Sequence, residues 1–168
     1  DLIFCSEVLE HLDNYNWIIA LGYKHLNKKN KIINKMLESK CSLYSLIHAS
    51  SYIAKTANIE NGTTIYPMCN IGENTHIKSG AIITSSVTIC HDSIIDIGTW
   101  VSPGVTILGS TQIGQECFIG AGTTITNNIK IGNNVIIGAG SLISQNIPDN
   151  YNVIGNPMKI LDKKIKLK

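Results

Sequence analysis

Stepping by six from Ile47 to Ile143 meets isoleucine at every position but one, and the exception is Val101. Four residues after each of these stands a small or β-branched residue, from Ser51, Ala57 and Thr63 through Cys117 and Thr123 to Ile147. An α-helix repeats every 3.6 residues and a strand every two, so a six-residue period belongs to neither. It is the mark of a parallel β-solenoid built from hexapeptides. The recurring aliphatic residue points inward and stacks on its own kind one coil away, and the small residue lets the chain turn a corner. Three hexads make a triangular coil, so Ile47 to Pro148 supplies between five and six coils. At about 4.8 Å per coil the prism is roughly 27 Å long. The expected fold class is mainly β, a parallel β-helix with a small N-terminal α/β segment.

Composition narrows the partners. A net charge of +2 over 168 residues does not suggest a nucleic-acid binder. No apolar run reaches the roughly 18 residues of a membrane span, and no signal-like segment opens the chain. The five cysteines show no CxxC pair, and their odd number fits reduced thiols in a cytoplasmic protein. Charge is sparse in the solenoid: Lys55, Glu60, Glu73, Lys78, Asp92, Asp96, Glu116 and Lys130 are all it holds between Ile47 and Pro148. Outer faces so poor in charge are what a subunit interface leaves behind, and self-association is expected.

The chain divides into three parts: 1–46, a partial α/β segment; 47–148, the solenoid; and 149–168, a C-terminal tail. Leu2 to Phe4 suit a short strand, and Val8, Leu9 and Leu12 one face of a helical turn. Asn16 to Tyr23 reads as a buried strand ending in a Gly22 turn. Lys24 to Ser39 reads as an amphipathic helix with Leu26, Ile32, Ile33, Met36 and Leu37 on its apolar face. Ser42 to Leu46 follows as a second strand. No GxGxxG is present, so at most the later part of a nucleotide-binding α/β unit is represented. Pro148 lacks a ladder N–H, so the sheet is expected to stop near it. The lysine-rich stretch Asp162 to Lys168 reads as solvated.

Acid–base chemistry needs a titratable group on a rigid element. His48 reads as a surface or capping residue, and His76 has no acidic neighbour within two positions. His91 occupies a corner and is followed at once by Asp92. A carboxylate beside an imidazole fixes its tautomer and raises its basicity, the usual arrangement of a general base. Some trimeric solenoids, the gamma-type carbonic anhydrases, bind zinc through three histidines, two of them separated by four residues. No HxxxxH occurs here, and no metal site is expected.

The hexads, with Ser86-Val87-Thr88-Ile89-Cys90-His91-Asp92-Ser93-Ile94-Ile95 and Val153-Ile154-Gly155-Asn156-Pro157-Met158-Lys159, resemble the left-handed β-helix acyltransferases, and within them the sugar acyltransferases of the PglD/NeuD type. The resemblance runs from about Asn16 to Leu161 and includes the Ile19-Ala20-Leu21-Gly22-Tyr23 turn. It implies the left hand of the coil, where crossover rules alone would predict the right. It implies acetyl-CoA as acyl donor, a homotrimer, and a nucleotide-linked amino-sugar as partner. His91 is then the catalytic base, Asp92 its support, and Gly109 the donor of an N–H to the thioester oxygen. Trp100, standing where some members have a second histidine, and Ala121, Gly138, Ala139 and Pro157 fall at the cofactor. Gly22 and Tyr23 fall at the nucleotide-sugar. The implied reaction is N-acetylation of a UDP- or dTDP-linked 4-amino-4,6-dideoxyhexose. The alternatives are O-acetylation of a sialic acid or related sugar, and a non-enzymatic oligomeric scaffold.

Overall fold

The computed structural model describes residues 15–161. The expected strand near Leu2, the helical turn near Val8, Cys5 and the tail from Asp162 lie outside them. Two-residue strands recur every six positions, from Leu46–Ile47, Tyr52–Ile53 and Asn58–Ile59 to Leu142–Ile143. Up to the last coil each pairs in parallel with the strand one coil on, as Leu46 with Thr64, Tyr52 with Asn70 and Asn58 with His76. Three sheets result, and they are the faces of the prism. The first face starts at Leu46–Ile47, the second at Tyr52–Ile53 and the third at Asn58–Ile59; each corner takes the number of the face it follows. The mainly β parallel solenoid with its small α/β segment is as expected. Among the described residues, no helix is long and apolar enough to cross a membrane.

The inward isoleucines are buried from Ile65 to Ile143 and form one continuous core. Each contributes roughly 2 kcal/mol on leaving water. The residues four positions later are buried too, and their polar atoms bind the coil above. Thr75 Oγ1 donates to the Cys90 carbonyl at 3.1 Å, Thr99 Oγ1 to Gly114 at 2.7 Å and Thr111 Oγ1 to Thr126 at 3.1 Å. Cys117 Sγ reaches the Gly132 carbonyl at 3.1 Å in the same way. The corner itself is made one residue earlier than the sequence reading placed it. A left-handed φ occurs at every sixth residue from Gly62 to Gly140, including Asn74 (54°), Asp92 (56°) and Ser110 (58°). The turn needs that backbone conformation, and the small residue after it fills the inside of the corner.

The sheet does not stop at Pro148. Ile147, expected at a corner, bridges Ile131 and is 3% exposed. Asn152–Ile154 adds a parallel strand to Ile136–Ile137, and Lys159–Leu161 folds back antiparallel on it. The last coil is two residues shorter than the others. Pro148 therefore stands at the end of the third face, where no further coil takes an N–H from it. Met158 packs against the core at this end.

In the N-terminal segment, Asn16–Trp17 pairs in parallel with Ser42–Leu43. The strand expected over Asn16 to Tyr23 is confined to those two residues because its partner is equally short, and Ile18 beyond it is 49% exposed. The strand expected over Ser42 to Leu46 divides, and Leu46 already belongs to the first coil. A 3-10 turn, Tyr23–His25, leads into the helix Leu26–Glu38. Its buried face is Leu26, Lys29, Asn30, Ile33 and Met36 rather than the purely apolar set, and Leu37 is 40% exposed.

That face lies along the third corner. Ile33 packs on Gly80, Asn30 on Gly98, and Asn27 and Asn30 donate to the Glu116 carboxylate at 3.2 and 3.1 Å. Three residues of helix rise about 4.5 Å, close to the roughly 4.8 Å of one coil, so successive helix contacts meet successive coils. A side chain on Gly80 or Gly98 would occupy the space of Ile33 or Asn30. Lys29 is wholly buried here, and its amine donates to the Gly98 carbonyl at 3.4 Å.

Burial pushes the Lys29 amine down from 10.5 to about 7. Between those values the unfolded chain holds a proton that the folded chain does not, so this residue's contribution to stability rises with pH across that window. Lys29→Met should be more stable than wild type by about 2 kcal/mol at pH 7. The advantage should shrink when urea unfolding is repeated at pH 9.5; an advantage independent of pH would clear the buried amine of this role.

Candidate functional site

The second corner carries the His–Asp pair. Asp92 has the left-handed backbone of the turn, which directs both side chains outward. His91 Nδ1 and Asp92 Oδ2 are 2.7 Å apart, with side-chain exposures of 60% and 51%. The bond to His91, and next the one from Asn74, hold the Asp92 carboxyl below the usual carboxylate range. An anionic carboxylate on Nδ1 places the imidazole proton there and leaves Nε2 as the acceptor.

Gly109, one coil above, forms the seat of the ring. A Cβ at this position would stand 2.7 Å from Cε1 and Nε2 of His91 and 3.2 Å from Nδ1. Glycine is needed for this approach, since the backbone here is not left-handed. Among the described residues, the Gly109 N–H has no hydrogen-bond acceptor, although Gly109 is buried. The structure therefore brings His91, Asp92 and Gly109 together: a fixed imidazole beside an uncommitted N–H.

The other residues singled out from the sequence lie elsewhere on the prism. Trp100 projects from the first face, where Tyr23 packs edge-on against it at 5.5 Å between ring centroids and against Phe118 at 5.3 Å. Ala121, Gly138 and Ala139 line the first corner. This edge is open: Cβ atoms built on Gly104, Gly122 and Gly140 would meet nothing within 4 Å. Pro157 belongs to the turn between the last two strands, whose Gly155 N–H donates to Ser141 Oγ at 3.0 Å. These residues form a group along the first face and corner. One hexad of extended chain, roughly 20 Å at most, separates that corner from His91.

Two contacts escaped the sequence reading. His76 Nε2 is 2.7 Å from Glu60 Oε1, so His76 has a carboxylate partner supplied by the preceding coil. Burial raises the Glu60 carboxyl, but the Ser79 N–H and hydroxyl, with His76, outweigh it and bring the carboxyl below its ordinary value. Asn74 Nδ2 donates to Asp92 Oδ1 at 3.1 Å. Stepping back one coil from Asp92 would have found Asn74. A groove of 570 Å³ on the third face, between Lys78 and Asp149, does not include His91. No group of three or more metal-ligating side chains occurs among the described residues.

A sequence profile described as bacterial transferase hexapeptide (six repeats) matches residues 92–127 and 110–145. No curated protein matches the chain by sequence. Among solved structures, the chain is similar to the acetyltransferase domain of PglB from Neisseria gonorrhoeae FA1090 in complex with acetyl coenzyme A. The identity is 28% over 92% of this chain and 76% of that one, with a TM-score of 0.85. It shares its fold with a histidine-to-asparagine variant of perosamine N-acetyltransferase from Caulobacter crescentus in complex with CoA and GDP-perosamine (22% identity, 94% and 76% covered, TM-score 0.86). It also shares it with WeeI from Acinetobacter baumannii AYE (21%, 86% and 69%, TM-score 0.78). Repeat, coil geometry and neighbours agree: the chain is a left-handed parallel β-helix that carries the bacterial transferase hexapeptide over residues 92–145 and is similar to acetyltransferases of that fold.

Proposed function

We propose that the chain transfers an acetyl group from acetyl-CoA to the amine of a nucleotide-linked 4-amino-sugar. The observation that carries this reading is the imidazole of His91, held by Asp92 on one edge and seated against Gly109. The similarity to an acetyltransferase domain in complex with acetyl coenzyme A supports the donor. The small exposed residues of the first corner suit it as well, since Ala121 and Ala139 let a pantetheine arm lie against the backbone. Acetyl-CoA, when bound, supplies the activated acetyl group. His91 Nε2 takes the proton of the attacking amine, and Asp92 stabilises the imidazolium. The Gly109 N–H faces the negative charge that develops on the thioester oxygen, a contribution of about 3 kcal/mol. As the C–N bond forms the C–S bond breaks, and His91 returns its proton to the leaving thiolate. The same residues serve a sugar hydroxyl, a weaker nucleophile that leans harder on the base.

The two groups of residues stand on different corners, and this supports a site shared between copies: the second corner of one prism against the first corner of the next, in a homotrimer. Residues 1–46 complete the picture as part of a nucleotide-sugar-binding unit. Their two parallel strands bridged by a helix are a β–α–β unit, and Tyr23 packs on Trp100 beside the residues expected at the cofactor.

Thiol release from acetyl-CoA should be seen with one of the UDP-, dTDP- or GDP-linked 4-amino-sugars and be lost in His91→Ala. Release with sialic acid alone moves the chain to O-acetylation. Gly109→Ala keeps the backbone but displaces the ring, and kcat should fall about 100-fold with an unchanged circular dichroism spectrum. Mixing inactive His91→Ala with inactive Ala139→Trp, then unfolding and refolding them together, should restore measurable activity; continued inactivity would place both groups of residues in one copy's site.

A further inference from the structure

The Asp92 carboxylate has two oxygens, and a different side chain holds each. Oδ2 meets His91 Nδ1 at 2.7 Å, and Oδ1 accepts from Asn74 Nδ2 at 3.1 Å. Asn74 stands one coil before Asp92 on the same corner, and both have left-handed backbones with nearly equal φ, 54° and 56°. Their side chains therefore leave the corner side by side. Both main chains are tied. The Asn74 N–H donates to Thr56 Oγ1 at 3.0 Å, and the Asp92 N–H to the Glu73 carbonyl at 2.9 Å. What stays free is rotation of the side chains. The terminal torsion of an aspartate is broad, so an Asp92 held only by His91 would swing on its corner and exchange the oxygen it offers. A donor on the second oxygen selects one orientation.

We infer that Asn74 is a positioning residue: it holds the Asp92 carboxylate so that Oδ2 keeps the Nδ1 proton of His91 and leaves Nε2 free at the reacting edge. The inference rests on the proposed chemistry of His91 and adds to it the group that orients the pair. Two properties suit asparagine to the position. Its short amide tolerates the left-handed backbone of the corner, and it offers an N–H to a carboxylate without adding charge. Aspartate keeps the shape and the backbone tolerance but loses the donor and sets a second carboxylate where the amide stood, 3.1 Å from Asp92 Oδ1. Glycine keeps the backbone tolerance and removes the side chain. Asn74→Asp and Asn74→Gly thus separate the hydrogen bond from the turn.

The test reads the imidazole directly. Nitrogen-15 NMR of the histidine rings, with the His91 signals assigned by their loss in His91→Ala, gives the ratio of the two neutral tautomers. In wild type the Nδ1–H form should dominate, and in both Asn74 variants the share of the Nε2–H form should rise at least threefold. In acetyl transfer, kcat should fall about tenfold in both while KM for acetyl-CoA stays within twofold, the pattern of a lost orientation rather than lost binding. Unchanged His91 signals in both variants overturn the inference, whatever happens to kcat. The NMR measurement needs no substrate. If wild type acetylates none of the acceptors, the acetyl-transfer reading fails, and the tautomer ratio still decides the role of Asn74.

Discussion

Hydrogen bonding between successive coils is the constraint on which everything else in this molecule depends. Parallel strands two residues long are too short to be stable alone, so each coil exists only because the next one takes its N–H and carbonyl groups. The corners, where a ladder would ordinarily lapse, are stitched by the hydroxyls and thiols of Thr75, Thr99, Thr111 and Cys117. Every position thus answers to the position eighteen residues away. The register changes only in the last coil, where Ile131 meets Ile147 and the antiparallel turn closes the prism.

The chemistry-bearing groups inherit this vertical order. Gly109 supports His91 and Asn74 supports Asp92 because each pair is one coil apart on one corner. Asp96 reaches Lys78 across one coil in the same way, and Glu60 reaches His76 from the preceding coil. A solenoid builds its polar clusters along columns, out of residues that no local motif connects. A second His–carboxylate pair is therefore unremarkable in itself. His91 stands apart because its column also holds a glycine with an uncommitted N–H, whereas Glu60 is already engaged by Ser79.

Much of the fold was legible because the hexad writes the same physical demand into the chain over and over: an inward aliphatic, then a small residue inside the corner. The left-handed residue of each corner went unread. Glycine, asparagine or aspartate fills most of these positions, and Met68, Ser86, Ser110 and Glu116 break the pattern. The shortened last coil was hidden too. Ile147 is acceptable in either register, and only pairing with Ile131 tells them apart. The helix misled by averaging: its apolar residues were identified, but docking on a corner of glycines and Glu116 drew Lys29 and Asn30 inward and left Leu37 out. At the site, the adjacent pair His91-Asp92 was plain from the chain, and the support beneath it required the coil length.

The helix and the prism behave as two scales laid edge to edge with slightly different divisions. Each three-residue step of the helix falls short of a coil by about 0.3 Å. Over the three contacts at Gly80, Gly98 and Glu116 the slip is under an ångström, which side chains absorb. Over twice that length it would approach the size of a methyl group, and the teeth would no longer mesh. A vernier of this kind grips well only over a short distance. The helix is thereby limited to clasping a few coils, and it leaves the upper part of the prism uncovered.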